Sequence, residues 1–109
     1  MKVCKFGGTS MATAKSILNV KNIIESDPER KFVIVSAPGK RFSSDIKITD
    51  MLYGAYDEKV ETGSCRYKMA IIRERFVDLA KELNVDVDMN KYIDEVEQGI
   101  LNSTSPDYA

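Results

Sequence analysis

Lys5 is followed within a few residues by Gly7, Gly8, Thr9 and Ser10, in the run KFGGTS, and these residue types together can do one recognisable piece of chemistry. A lysine ammonium is a compact positive charge on a flexible stem. Adjacent glycines let a backbone approach a bulky anion with no β-carbon in the way. Hydroxyl side chains add donors and acceptors. The set suits a polyphosphate if a helix begins close behind it, because a helix amino end presents unpaired amide N–H groups and a partial positive charge. The same residues also make an ordinary tight turn with a Ser or Thr helix cap. Neither GxxxxGK[ST] nor GxGxxG occurs in the chain, so a phosphate loop here would be of another kind.

Such a loop needs a strand in front and a helix behind. Residues 2–6 (KVCKF) read as a short strand ended by the glycine pair. From Met11 to Ser26 the pattern is helical, with Ala14, Ile17, Val20 and Ile24 on one stripe and Lys15, Asn19, Lys21 and Asn22 facing away; the helix is expected to begin at Ser10 or Met11. Asp27-Pro28 ends it, since proline disfavours helical geometry in the residue before it. In KFVIVSAPG the continuous run Phe32–Val35 predicts a strand buried on both faces of a parallel sheet. Strand, helix, strand is a βαβ unit.

Residues 40–47 are polar and read as a loop. Ile48, Met51, Leu52, Ala55 and Tyr56 then predict a helix through the late fifties, and Thr62-Gly63-Ser64 punctuates. The clearest helix is Arg66–Leu83, with Met69, Ile72, Phe76, Leu79, Ala80 and Leu83 at three-and-four spacing. A last helix starts near Asn90 and carries Tyr92, Ile93, Val96, Ile100 and Leu101, followed by Ser-Thr-Ser-Pro at 103–106, which reads as a loop. The class is α/β with two strands, and two parallel strands alone leave edges that normally need neighbours.

At 109 residues the chain is expected to form one domain. Its 16 Lys plus Arg against 17 Asp plus Glu give a formal charge of −1, and neither sign collects in one half, which argues against a nucleic-acid groove or a membrane-surface helix. No signal-peptide pattern and no membrane-length apolar run is present, so a soluble, cytoplasmic protein is the expectation. The absence of histidine removes Ser-His-Asp and Cys-His nucleophile systems and most zinc sites. Cys4 and Cys65 read as reduced structural thiols. Asn102-Ser103-Thr104 matches the glycosylation pattern but is idle without a secretory signal. Residues 86–97 place oxygen side chains at positions of a calcium loop, yet Lys91 stands where the sharp turn needs glycine, and the same residues make a plain amphipathic helix.

The amino-terminal KFGGTS, the later VIVSAPGK and the ITDML segment occur in an order that resembles the start of aspartate kinases, members of the amino acid kinase family. The resemblance extends over essentially the whole chain. It implies the amino-terminal part of a three-layer α/β/α fold with a mostly parallel sheet, and an activity that moves the γ-phosphoryl group of Mg-ATP onto the side-chain carboxylate of L-aspartate. The product is 4-phospho-L-aspartate, the entry step to lysine, threonine and methionine synthesis. By this resemblance Lys5 is the catalytic and phosphate-binding lysine, Gly7, Gly8, Thr9 and Ser10 complete the nucleotide loop, and Ser36 and Thr49 serve the amino acid substrate. Mg2+ arrives with ATP, so no metal ligand is expected from the chain. Without the resemblance, Ser36 reads as a strand-end hydroxyl and Thr49 as a helix cap.

Family members continue with a Ser-Arg-Gly-Glu segment, the substrate's arginine contact, the adenosine pocket and regulatory ACT domains. The expectation is therefore an amino-terminal portion of the catalytic domain with little or no activity alone, prone to homo-oligomer formation or self-association through exposed faces. Rival readings within the family are kinases acting on glutamate, acetylglutamate, carbamate or a nucleotide. A noncatalytic interaction module is a third.

Overall fold

The computed structural model describes residues 2–105 and contains β1 (Lys2–Phe6), a short 3₁₀ helix (Gly8–Met11), α1 (Ala14–Glu25), β2 (Arg30–Val35), α2 (Ile48–Thr62), α3 (Arg66–Glu82) and α4 (Met89–Asn102). Pro106 of the expected loop lies outside the described residues. The chain divides into two compact units, one within Met1–Ile48 and one within Thr49–Ala109, where the length alone suggests a single domain. Among the described residues no helix is long and apolar enough to cross a membrane.

In the first unit β1 and β2 pair in parallel, with Lys2 opposite Arg30 and Phe6 opposite Val35. The crossover between them is α1, whose stripe turns inward as its spacing predicts: Ala14 and Val20 are buried and Ile17 and Ile24 half-buried, while Lys15, Asn19, Lys21 and Asn22 are exposed. Phe32, Val33, Ile34 and Val35 are all exposed, from 39% to 54%. The expected burial of β2 on both faces is thus corrected. A two-stranded sheet has one neighbour per strand and too little mass to cover both faces, whatever the side chains prefer.

The second unit is helical and closes a core of its own. Ala55 of α2, Cys65, Met69 and Ile72 at and within the start of α3, and Ile93 and Ile100 of α4 are buried together, with Met51, Leu52, Tyr56, Phe76 and Leu101 packed against them. Gly63, at φ +80°, ends α2 in the left-handed region that a β-carbon disfavours. Asn84, at φ 55°, does the same for α3: its N–H donates to Lys81 O at 3.0 Å and that of Val85 to Ala80 O at 3.2 Å, the paired closure of a Schellman motif. Tyr92 and Val96 are exposed, a correction to the expected apolar face of α4. Ile93 and Ile100 lie seven residues apart on one line of the helix, and Tyr92 stands about 100° round from it.

Candidate functional site

The carboxyl ends of parallel strands are where open α/β sheets hold ligands, and both β1 and β2 end at the loop picked out by its residue types. Lys5 is exposed near the end of β1. The ion pairs among the described residues engage Lys2, Lys21, Arg41 and Arg73, and none engages Lys5. Its ammonium therefore faces solvent without a carboxylate among the described residues.

After Phe6 the backbone stays extended at Gly7 (φ −76°, ψ 178°) and winds into the 3₁₀ helix, where Ser10 N–H donates to Gly7 O at 3.1 Å. The amides of Gly8 and Thr9 precede that first bond and have no partner inside the helix. The main helix does not begin at Ser10 or Met11, as its pattern suggests. Thr13, extended at φ −131° and ψ 160°, caps α1, its Oγ1 accepting from the Ser16 amide at 3.2 Å. A threonine in that conformation is a favourable cap, and the preceding glycines wind more easily into a short tight turn than into regular helix. The loop thus offers 3₁₀ amides rather than the amino end of α1.

Two backbone bonds tie this loop to the segment after β2. Ser36 N–H donates to Phe6 O at 3.0 Å, and Gly39 N–H donates to Gly8 O at 2.8 Å. Ser36 is exposed beside the Lys5 strand end, while Gly39 is buried. Pro38 O accepts from the amide of Ile48, itself buried, at 3.1 Å. Between them Asp45 accepts from the Arg41 amide at 3.0 Å, from Nε at 2.6 Å and from a terminal guanidinium nitrogen at 3.1 Å. The Arg41 guanidinium holds the Asp45 carboxyl well below the usual carboxylate range.

Lys5, Gly7, Gly8, Thr9, Ser10 and Ser36 are therefore brought together at one end of the small sheet. Thr49 is placed in the helical unit, exposed in the first turn of α2 rather than at its cap. Gly39 is the residue that inspection of types missed; its only trace in the sequence is a glycine after proline at a strand end. As chemistry, the set is cationic and N–H-donating, which fits an anion and not a bare metal ion.

The calcium-like stretch is not a loop. Residues 89–102 form α4, with the Asp88 carboxylate accepting from the Lys91 amide at its start, and Arg73 of α3 takes the oxygens: Asn90 Oδ1 at 2.9 Å, Asp94 at 2.6 Å and Glu97 at 3.6 Å. Among the described residues no group of three or more Cys, Asp or Glu side chains converges as metal ligands would. Cys4 and Cys65 are both free thiols, Cys65 buried at the start of α3, where burial pushes its thiol pKa up.

No family model matches the chain. Over 85 residues it is 42% identical to aspartokinase 3 of Bacillus subtilis, an alignment covering 78% of this chain and 19% of that protein. It is 35% identical over 96 residues to an aspartokinase of Chlamydia muridarum, covering 88% of this chain and 20% of the relative. A bifunctional aspartokinase/homoserine dehydrogenase of maize is 36% identical over 104 residues, covering 92% of this chain and 10% of its own length. The crystal structure of an aspartate kinase from Clostridium acetobutylicum superposes with a TM-score of 0.90 at 42% identity, over 98% of this chain and 25% of that one. The chain thus spans about a fifth of the length of the bacterial curated relatives it matches.

Proposed function

Because the chain belongs to the aspartokinase family over the stretch it spans, we propose that it supplies the phosphate side of an aspartate kinase active site, acting in the transfer of the γ-phosphoryl group of ATP to the side-chain carboxylate of L-aspartate. The observation that carries this reading is the meeting of Lys5, the Gly7–Ser10 loop and Ser36 at the carboxyl ends of β1 and β2, joined by the Phe6–Ser36 and Gly8–Gly39 backbone bonds.

In this reading the Lys5 ammonium neutralises charge on the β- and γ-phosphate oxygens, and the Gly8 and Thr9 amides donate to them, with the Thr9 and Ser10 hydroxyls alongside. Ser36 and Thr49 serve the amino acid substrate. A carboxylate oxygen of aspartate forms the new bond to phosphorus as the bond to the β–γ bridging oxygen breaks, and ADP leaves with that electron pair. The attacking carboxylate is already ionised at neutral pH, so no general base is required, in keeping with a chain that has no histidine. Mg2+ carried by the nucleotide would supply further charge neutralisation at the phosphates. Catalysis of this kind is positioning plus electrostatics.

The test is an amide-resolved NMR titration of the 109-residue chain with Mg-ATP, run beside Lys5→Ala. Shifts confined to Gly7–Ser10 and neighbouring amides, weakened about tenfold or more without Lys5, are expected, equivalent to about 1.4 kcal/mol. Unmoved loop amides at millimolar Mg-ATP would remove the reading. The isolated chain is expected to release little ADP when given aspartate and Mg-ATP.

A second reading, that the chain pairs with itself, is favoured by the exposure of Phe32–Val35 along β2, an edge strand of the two-stranded sheet. Sedimentation of a strictly monomeric species across the micromolar range would count against it.

A further inference from the structure

We propose that Gly39 is a positioning residue for the phosphate loop, acting through Gly8, and that its lack of a side chain is what sets the conformation in which the Gly8 and Thr9 amides can donate to a polyphosphate. The inference deepens the reading given above and rests on it. The two glycines lie 31 residues apart in sequence, one behind each strand, and their backbones meet. Gly39 N–H donates to Gly8 O at 2.8 Å. A β-carbon on Gly39 would stand 2.7 Å from Gly8 C, 3.0 Å from Gly8 O and 3.0 Å from Thr9 N, atoms of the very peptide that begins the 3₁₀ helix. A carbon atom does not approach backbone that closely, and the obstacle is main chain, which cannot swing aside as the end of a flexible side chain can. The reverse contact is milder: a β-carbon on Gly8 would lie 3.2 Å from Ala37 O and 3.2 Å from Gly39 N and Cα.

Neither glycine has a positive φ, so the demand is for close approach and not for left-handed backbone. Gly39 is itself held. Ile48 N–H fixes the carbonyl of Pro38 just before it, and the Arg41–Asp45 clasp closes the loop just after it. A methyl group on Gly39 would therefore push the Gly8–Thr9 peptide, because its own segment is anchored on both sides. The Thr9 amide, 3.0 Å from that methyl position, is one of the two donors the phosphate would use.

The test compares the full chain with Gly39→Ala, Gly8→Ala and a control, Gly99→Ala, where a β-carbon in α4 meets open space. The expected result is that Gly39→Ala displaces the Gly8 and Thr9 amide resonances before any nucleotide is added, leaves those of residues 66–102 in place, and weakens Mg-ATP binding at least tenfold; Gly99→Ala binds as wild type. Gly39→Ala that binds Mg-ATP like wild type would overturn the proposal. Should Gly39→Ala fail to fold, Gly8→Ala decides: the clamp requires it to move the Ala37 and Gly39 amides across the gap, and an unchanged pair overturns it. If the wild-type chain itself takes no Mg-ATP while Gly39→Ala still displaces the loop, the phosphate reading has failed and the contact is structural only, which also overturns the positioning role.

Discussion

The two units of this chain solve the same problem differently. The helical unit buries an apolar stripe from each of its helices in one core, with Met69, Ile72, Cys65 and Ile100 all at or below 1% exposure. The strand unit carries comparably apolar residues but leaves the whole of Phe32–Val35 at the surface; its buried side chains are the small Ala12 and Ala14 with Val20 and Ile48. The difference teaches that order in the strand unit comes from backbone. Its parallel ladder, the Phe6–Ser36 and Gly8–Gly39 bonds and the Thr13 cap are main-chain or cap interactions, worth about 1 kcal/mol each, whereas the helical unit draws on hydrophobic burial.

If that contrast is right, the largest effects of side-chain truncation fall in the helical unit. Ile100→Ala, at a position with no exposure, is expected to destabilise that unit by about 2–5 kcal/mol in urea unfolding followed by NMR. Ile34→Ala, at 53% exposure in β2, is expected to change stability by no more than about 0.5 kcal/mol. Comparable losses at the two sites would break the comparison.

Intermediate effects belong to the backbone-held unit. Thr13→Ala removes the cap accepted by the Ser16 amide and is expected to cost about 1 kcal/mol, read as faster amide exchange in the first turn of α1. Asp45→Asn is expected to cost up to about 1 kcal/mol at neutral pH. Asp45 is more acidic in the folded chain than its ordinary value of 3.8, so its pair with Arg41 contributes at every pH above that value. The contribution is lost as pH falls from there through the depressed folded value. The gap between wild type and Asp45→Asn should accordingly be constant from pH 7 to 5 and close in strong acid; a gap that widened on acidification would contradict the pairing.

The smallest effect is chemical. Cys65, buried in the helical core with its thiol pushed up, should be alkylated by iodoacetamide after the half-buried Cys4, by mass spectrometry of the native chain at pH 8. The order should vanish in denaturant.

Much of the architecture was legible because it is local. Both strands, the stripe of α1 and the stripe of α3 follow from spacings within a few residues, and the lysine, glycines and hydroxyls of KFGGTS mark a turn whose residue types suit either an anion or an ordinary helix cap. Arg75, buried within α3 amid that stripe, was not legible, since a charged residue is ordinarily read as facing water. The helix within residues 86–97 was legible from its own spacing, but the partner of its acids was not: only the placement of α3 beside α4 supplies Arg73 to Asp94 and Glu97.

By itself, then, the sequence determined the order of the two strands and the four main helices. The tertiary structure decided that β2 lies open and that the backbone of Gly39 meets that of Gly8. The reason is range. Periodicity and residue type act over a turn or two of chain, but the register of β1 on β2 sets which loop atoms meet, and there the Gly39 N–H reaches Gly8 O at 2.8 Å.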